Sequence, residues 1–453
     1  MEESTSNNKD VGLFQGSSQF TLIQNVITEI MCFLVGISFN YLSEVLYSTT
    51  NDMGTLMGDI SFIYSLPLTI SFSNIITVIS LILFTSAFQK YPLFLLAVIS
   101  LIGQIIISIG ITPSLPLIYE AHASYSTPTE ITVLTICALA HGIFSAFNFA
   151  SFLHISSLLS HFHLILYIVG MNTGPMLSSF LDYFGYFVGG WKSNMDYVSM
   201  MLVLILIEIG SLCLMIFCYC YIKPFRKVIK IEPTSLVVKN GVVLTQWHKM
   251  KILLTSSFDE MKEVVVNLKY QVTSLLMVYL TSNILYPGMF IYYHISASNQ
   301  LDKNNDNYTF LMKNISIIYT GSCVIGSLFT FLPSHISKKT LLAASVFRLF
   351  VITTLTSLIS QGGMVVVKQY GSQSTSLIVN KVHLLLFVLM SLSSAIIGIT
   401  QGYITSICFI SMIKRAEERV ATYVMLLSVS LISFIGTVIQ IILVLSFSSL
   451  FDF

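Results

Sequence analysis

Tyr197-Val-Ser-Met-Met-Leu-Val-Leu-Ile-Leu-Ile-Glu-Ile-Gly-Ser-Leu-Cys-Leu-Met-Ile-Phe-Cys-Tyr-Cys-Tyr-Ile222 runs for 26 residues with a single charge, Glu208. A helix that long reaches roughly 39 Å at 1.5 Å per residue, more than the ~30 Å of a bilayer's hydrocarbon. Short alternating segments, the mark of a membrane barrel, are absent from the run. Working outward, comparable stretches give eleven spans, near 20–46, 61–87, 92–111, 131–155, 164–187, 197–222, 270–293, 313–333, 340–360, 382–410 and 420–447. Composition points the same way: 55% of the 453 residues are hydrophobic, 9% are charged, and mean hydropathy is +0.82. A soluble domain carries about a quarter charged residues to clothe its core. Here lipid must be the solvent, and in lipid the backbone satisfies itself within helices. The expected fold is an all-α integral membrane bundle.

The one long hydrophilic stretch, 223–269, falls between spans six and seven. The chain therefore divides into a polar tail (1–19), a six-helix half (20–222), a basic loop (223–269) and a five-helix half (270–453). The tail lacks the basic-then-apolar build of a signal peptide, so it is expected to stay in the cytoplasm. With that orientation sixteen Lys and Arg fall inside and five outside (Lys192, Lys303, Lys313, Lys368, Lys381), while Arg348 lies within a span. That asymmetry matches the positive-inside rule and places the C-terminus outside. The sequon Asn307-Tyr308-Thr309 falls in a loop expected to be external. Within the basic loop, Asn240-Gly241 between β-prone runs signals a hairpin. Apolar positions recurring from Phe258 to Leu268 signal an interfacial helix. The seven Cys all lie in apolar runs without metal-ligand spacing, which reads as buried small side chains. No phosphate loop, Cys/His metal set or Gly-x-Ser-x-Gly is present, so no enzyme, cofactor or metal is expected. No basic face remains for nucleic acid.

Ionisable groups inside a span cost roughly 3 kcal/mol or more at the bilayer centre, so each needs a partner, water or a task. They are Glu29, Glu44, His141, Asp182, Glu208 and Arg348. Asp182 and Glu44 stand near helix ends, within snorkelling reach. Glu208 is mid-span, and Arg348 cannot shed its proton, so it is expected to be ion-paired or to face a hydrated cavity. Neutral polar groups near the midplane, Asn40, Asn148, Asn172, Gln401 and Tyr403, can bond a solute or fasten helices together. Gly170-x-x-x-Gly174 and Gly398-x-x-x-Gly402 signal close helix packing. Pro175 and Pro287 interrupt the backbone ladder of their spans. His154, His161 and His163 straddle the turn after span four and read as a solvated cluster.

Several segments resemble the equilibrative nucleoside transporter family, in particular its protozoan members. Tyr279-Leu-Thr-Ser-Asn-Ile-Leu-Tyr-Pro-Gly288 looks like that family's seventh helix, with its Thr followed by Phe-Pro-Gly. Ser345-Val-Phe-Arg348-Leu-Phe350 is similar to the Arg-x-x-Phe stretch of its ninth helix, with Thr353 where the family has Pro. Gly398-Ile-Thr-Gln401-Gly-Tyr403 is similar to the tenth, and Glu417-Glu418 with Gly436 to the eleventh. Span eight, Ile318 to Phe329, lacks the Asp and Arg that the family carries four residues apart there, and the family's Trp-Asn pair is missing near Ser43-Glu44.

The resemblance implies a major-facilitator-like 6+5 bundle that moves nucleosides or nucleobases, purines favoured, by alternating access. Its cavity residues are expected among Asn148, Asn172, Tyr286, Arg348, Gln401 and Tyr403. Glu29 or Glu208 would couple protons, since charge at either is expensive in lipid. A monomer in the plasma membrane, binding no cofactor, is favoured. The alternatives are a transporter of another small solute, such as an organic cation, on the same scaffold, or a channel or lipid-handling protein.

Overall fold

The computed structural model describes residues 20–57, 60–83, 93–113, 128–187, 194–229, 262–285, 306–332, 336–355, 377–413 and 418–450. All regular structure among them is helical. In chain order the main helices are α1 (Leu22–Met57), α2 (Ile60–Leu83), α3 (Leu93–Ile111), α4 (Pro128–Leu159), α5 (His161–Phe187) and α6 (Asn194–Tyr221). They continue with α7 (Lys269–Ile284), α8 (Asp306–Leu328), α9 (Lys338–Phe347), α10 (Leu377–Ile413) and α11 (Glu418–Leu450). Nine of the described helices, all but α7 and α9, are long and apolar enough to cross a membrane. The protein is a multi-pass, all-α membrane protein. α7 has 16 residues and α9 ten, α9 continues into the helical residues 348–355, and 286–305 and 356–376 lie outside the described set.

Several helices overrun the spans read from hydropathy. α1 continues to Met57 and α10 begins at Leu377. Apolar character marks the thickness of hydrocarbon, but a formed helix extends past it because each added residue gains a backbone bond without a new nucleus. α5 runs through Pro175 without ending. A short helix, Lys223–Ile229, follows α6 and buries Phe225 and Ile229. Residues 262–267 are helical and lead into α7, while the expected hairpin at 236–244 lies outside the described residues.

Two kinds of seam hold the bundle together. In the first, glycine brings backbones into contact. A Cβ on Gly170 would stand 2.3 Å from the carbonyl of Phe33, and one on Gly174 2.5 Å from that of Ile37, so α5 lies directly against α1. A Cβ on Gly398 would meet the carbonyl of Tyr319 at 2.4 Å, and one on Gly402 that of Cys323 at 1.9 Å, so α10 lies against α8. Gly142 of α4 meets Ile70 and Ser73 of α2, and Gly436 of α11 meets Asn283 of α7. These pairs, 1–5 with 7–11 and 2–4 with 8–10, repeat after a shift of six helices.

The second kind joins α5 to α8 through side chains. Lys313 donates to Asp182, the hydroxyls of Ser179 and Ser316 share a 2.9 Å bond, and Asn172 Nδ2 donates to Ser327 Oγ at 2.6 Å. The register runs antiparallel. α11 supplies a corresponding contact against α2.

Buried apolar residues are distributed unevenly along the bundle. At the end where α1 begins, one cluster takes residues from both parts of the chain, including Met31, Val78, Leu101, Phe152, Leu275, Cys408 and Met425. Phe149 of α4 and Phe409 of α10 meet edge-to-face there, with ring centroids 5.7 Å apart. At the opposite end, among the described residues, α1–α4 and α6 share one cluster (Leu42, Leu66, Ile107, Leu134, Met201), while Leu285, Tyr319, Cys323 and Ile397 form another. Among the described residues, one end has a common core and the other has two.

Candidate functional site

Arg348 is 1% exposed, the largest fully buried side chain among the described residues. It sits where α9 opens into a π-helical turn, Arg348–Ile352. Such turns shift side-chain direction locally and recur at functional positions. Its Nη1 donates to the carbonyl of Val278 and to Gln401 Oε1, both at 2.9 Å. Its Nη2 donates to Ser282 Oγ at 2.6 Å and to the carbonyl of Ile397 at 3.1 Å. One planar fork thus ties α9 to α7 and α10. In place of the expected ion pair, neutral oxygens hold the charge among the described residues. Hydrogen bonds to a charged donor are the stronger kind, and four of them offset its desolvation.

Ser282 is the centre of the cluster. It accepts from Arg348, donates to Gln401 Oε1 at 2.6 Å, and shares a hydrogen bond with Tyr319 of α8. Glu44 of α1 lies within electrostatic reach of Tyr319 and Cys323. A carboxylate from the first part of the chain thus acts on a phenol that hydrogen-bonds Ser282 in the second. The Gln401 amide nitrogen donates to no described residue. The arrangement gathers charged and neutral donors, an acceptor and an aromatic ring in one buried cluster.

The other residues singled out from the sequence are dispersed. Asn172 is half-buried on α5 and bridges to Ser327 of α8. Asn148 is fully buried and donates to Gln104 Oε1 at 2.8 Å, pinning α4 to α3. Tyr403 lies on another face of α10 from Gln401 and lines a groove beside α9. Tyr286 and Pro287 lie outside the described residues. Glu208 is buried between α6 and α3, where Ser108 donates to its Oε1 at 3.1 Å, while Oε2 finds no partner among the described residues. Glu29 accepts from Asn25 at 2.6 Å, one turn back on the same helix. Asn40 donates to the carbonyl of Met171. His141 meets Ser43 Oγ at 2.9 Å and joins α4 to α1.

Two sequence readings need correction. Asp182 does not snorkel: it is mostly buried and paired with Lys313. His154 and His163 are not solvated either, at 7% and 1% exposure. α4 and α5 are separated by Ser160 alone, so the turn has no room to project them into water. His163 bonds Thr28 Oγ1 at 2.8 Å and Ser160 Oγ at 2.6 Å through its two ring nitrogens. Ser282 and Tyr319 were missed because a hydroxyl in an apolar helix carries no signal of its own. No protein family matches the chain, and no curated protein does.

Proposed function

We propose that the chain carries nucleosides or nucleobases, purines foremost, across the bilayer by alternating access. The observation that carries this reading is the contrast, among the described residues, between one shared core at the end where α1 begins and two separate cores at the other. The Tyr319–Ser282–Gln401 cluster adjoins one of the separate cores. Helix pairs locked by glycine would move as units, whereas side-chain bonds between α5 and α8 can break and reform. Lys and Arg put the shared core on the cytoplasmic side. The described conformation then has its cytoplasmic end closed, with Asp182–Lys313 bridging α5 and α8 at the external end.

The eleven-span, 6+5 layout belongs to the same proposal. α8 and α10 run parallel, so the chain between them has to recross, and the antiparallel seam of α5 with α8 asks the same of α7. The six-helix shift relating the glycine seams supports two related halves. The purine cargo rests on the resemblance to equilibrative nucleoside transporters, and the plasma membrane and proton coupling through Glu29 or Glu208 rest on the sequence reading. Uptake unchanged from pH 5.5 to 8 would remove the coupling.

The test is uptake of labelled purine nucleosides and nucleobases by the purified chain in liposomes. Saturable uptake accelerated by unlabelled purine on the far side is the expected result. Uptake without such counter-transport would indicate a channel, and no uptake would end the proposal. Glu44, within electrostatic reach of Tyr319, favours a second reading, transport of an organic cation. Competition by amines rather than purines would select it.

A further inference from the structure

We infer that the wedge between α8, α9 and α10 is a binding site for an anionic glycerophospholipid of the leaflet on the Lys338 side. α9 packs on α7 and is fastened to α10 by Arg348, at its C-terminal end. Its N-terminal part stands off from α8 and α10, which leaves a groove of about 480 Å³. That volume falls within the roughly 300–1,000 Å³ of pockets that hold small ligands.

The walls suit a hydrocarbon chain and not the solute of the central cluster. Phe329, Leu332, Leu341, Ala344 and Ile399 supply most of the surface. The hydroxyl of Thr400, also in the lining, turns back to donate to the carbonyls of Ile396 and Ile397, so its methyl faces the groove. Thr340 is engaged with Ser337 at 2.7 Å. Leu332 is 62% exposed and Ala344 is exposed, so the groove is reached from the bilayer.

Charge is supplied by the two lysines next to Thr340 in the chain. Lys338 and Lys339 immediately precede Thr340, with Lys339 exposed and Lys338 half-buried. The amide of Thr340 is already capped by Ser337 Oγ at 3.1 Å, so headgroup recognition falls to the two ammonium groups. Basic sites between transmembrane helices bind anionic headgroups in this way. No reading of the solute or the orientation is required, although the charge bias would put this end at the cytoplasmic leaflet, where anionic lipids gather.

The test is native mass spectrometry of the full chain in detergent, titrated with dioleoyl phosphatidylglycerol, dioleoyl phosphatidylcholine, oleate or glycerol phosphate. The expected order is phosphatidylglycerol well ahead of phosphatidylcholine, with no retention of glycerol phosphate. Lys338→Gln with Lys339→Gln should lower the preference by roughly twenty-five-fold, the product of about fivefold per lysine. Ala344→Trp, which fills the groove from an exposed position, should weaken retention of both lipids. The double lysine variant changes only the first turn, and its melting temperature checks that it folds. An unchanged preference in that variant would overturn the assignment, as would equal retention of phosphatidylcholine or oleate, or lipid uptake unaffected by Ala344→Trp.

Discussion

At the scale of single residues, Arg348 carries the most structural information. Its position within a span already required something to compensate the charge, but carboxylate and backbone oxygen are equally open from sequence. Three-dimensional packing selects Val278, Ile397, Gln401 and Ser282. Arg348→Lys keeps the charge but replaces a planar fork by a point, so it cannot reach four acceptors on two helices. We expect it to abolish uptake with expression intact; preserved uptake would remove Arg348 from the site. Gln401→Leu strips acceptors from both Arg348 and Ser282. It should cost about 1–3 kcal/mol of stability, the usual penalty for a buried group left unpaired, read as a lower melting temperature in detergent. It should also lower uptake, since the free amide goes with it; full activity would mean that Gln401 only supports Arg348.

At the scale of elements, glycines that look alike in sequence have opposite surroundings. Gly402 has backbone 1.9 Å from where a Cβ would be, whereas Gly210, mid-helix in α6, has nothing within 4 Å. Gly402→Ala must push α10 off α8, and overpacking of this kind costs about 1–3 kcal/mol. Gly210→Ala removes a helix-weakening glycine and should leave stability unchanged or raised by up to about 1 kcal/mol. Comparing their thermal melts decides the matter; equal losses would mean that the seams are looser than described. The Gly-x-x-x-Gly spacings were legible because four residues return to one helix face. Which helix they met was not, since α5 chooses the remote α1 and α10 chooses α8. Helix ends were legible only to within about a turn or more, because hydropathy reports lipid and not backbone bonding.

At the scale of the whole molecule, the Asp182–Lys313 pair is the charged link between α5 and α8. Removing it should favour separation of the external ends. An impermeant thiol reagent applied to Glu44→Cys should react faster when Asp182→Asn is added, by about fivefold for each kcal/mol the pair contributes. An unaltered rate would assign the pair to static packing. The parent chain is the control, because it carries cysteines of its own, Cys213 and Cys220 being exposed.

Sequence by itself determined the solvent of this protein and therefore its fold class. Nine percent charged residues cannot solvate a surface around so much apolar mass, whatever the contacts inside. It also located most helices, since an apolar stretch of membrane length has one way to satisfy its backbone. Only the tertiary structure decided what the rare polar groups do. Glu44 and Tyr319 are 275 positions apart, yet α1 and α8 bring them within electrostatic reach, while Asn148 and Glu208, no less polar, are turned into the packing of α3, α4 and α6. In lipid every polar side chain must find a partner, so its presence is readable in the sequence. Whether the partner is a neighbouring helix or a solute depends on which faces meet.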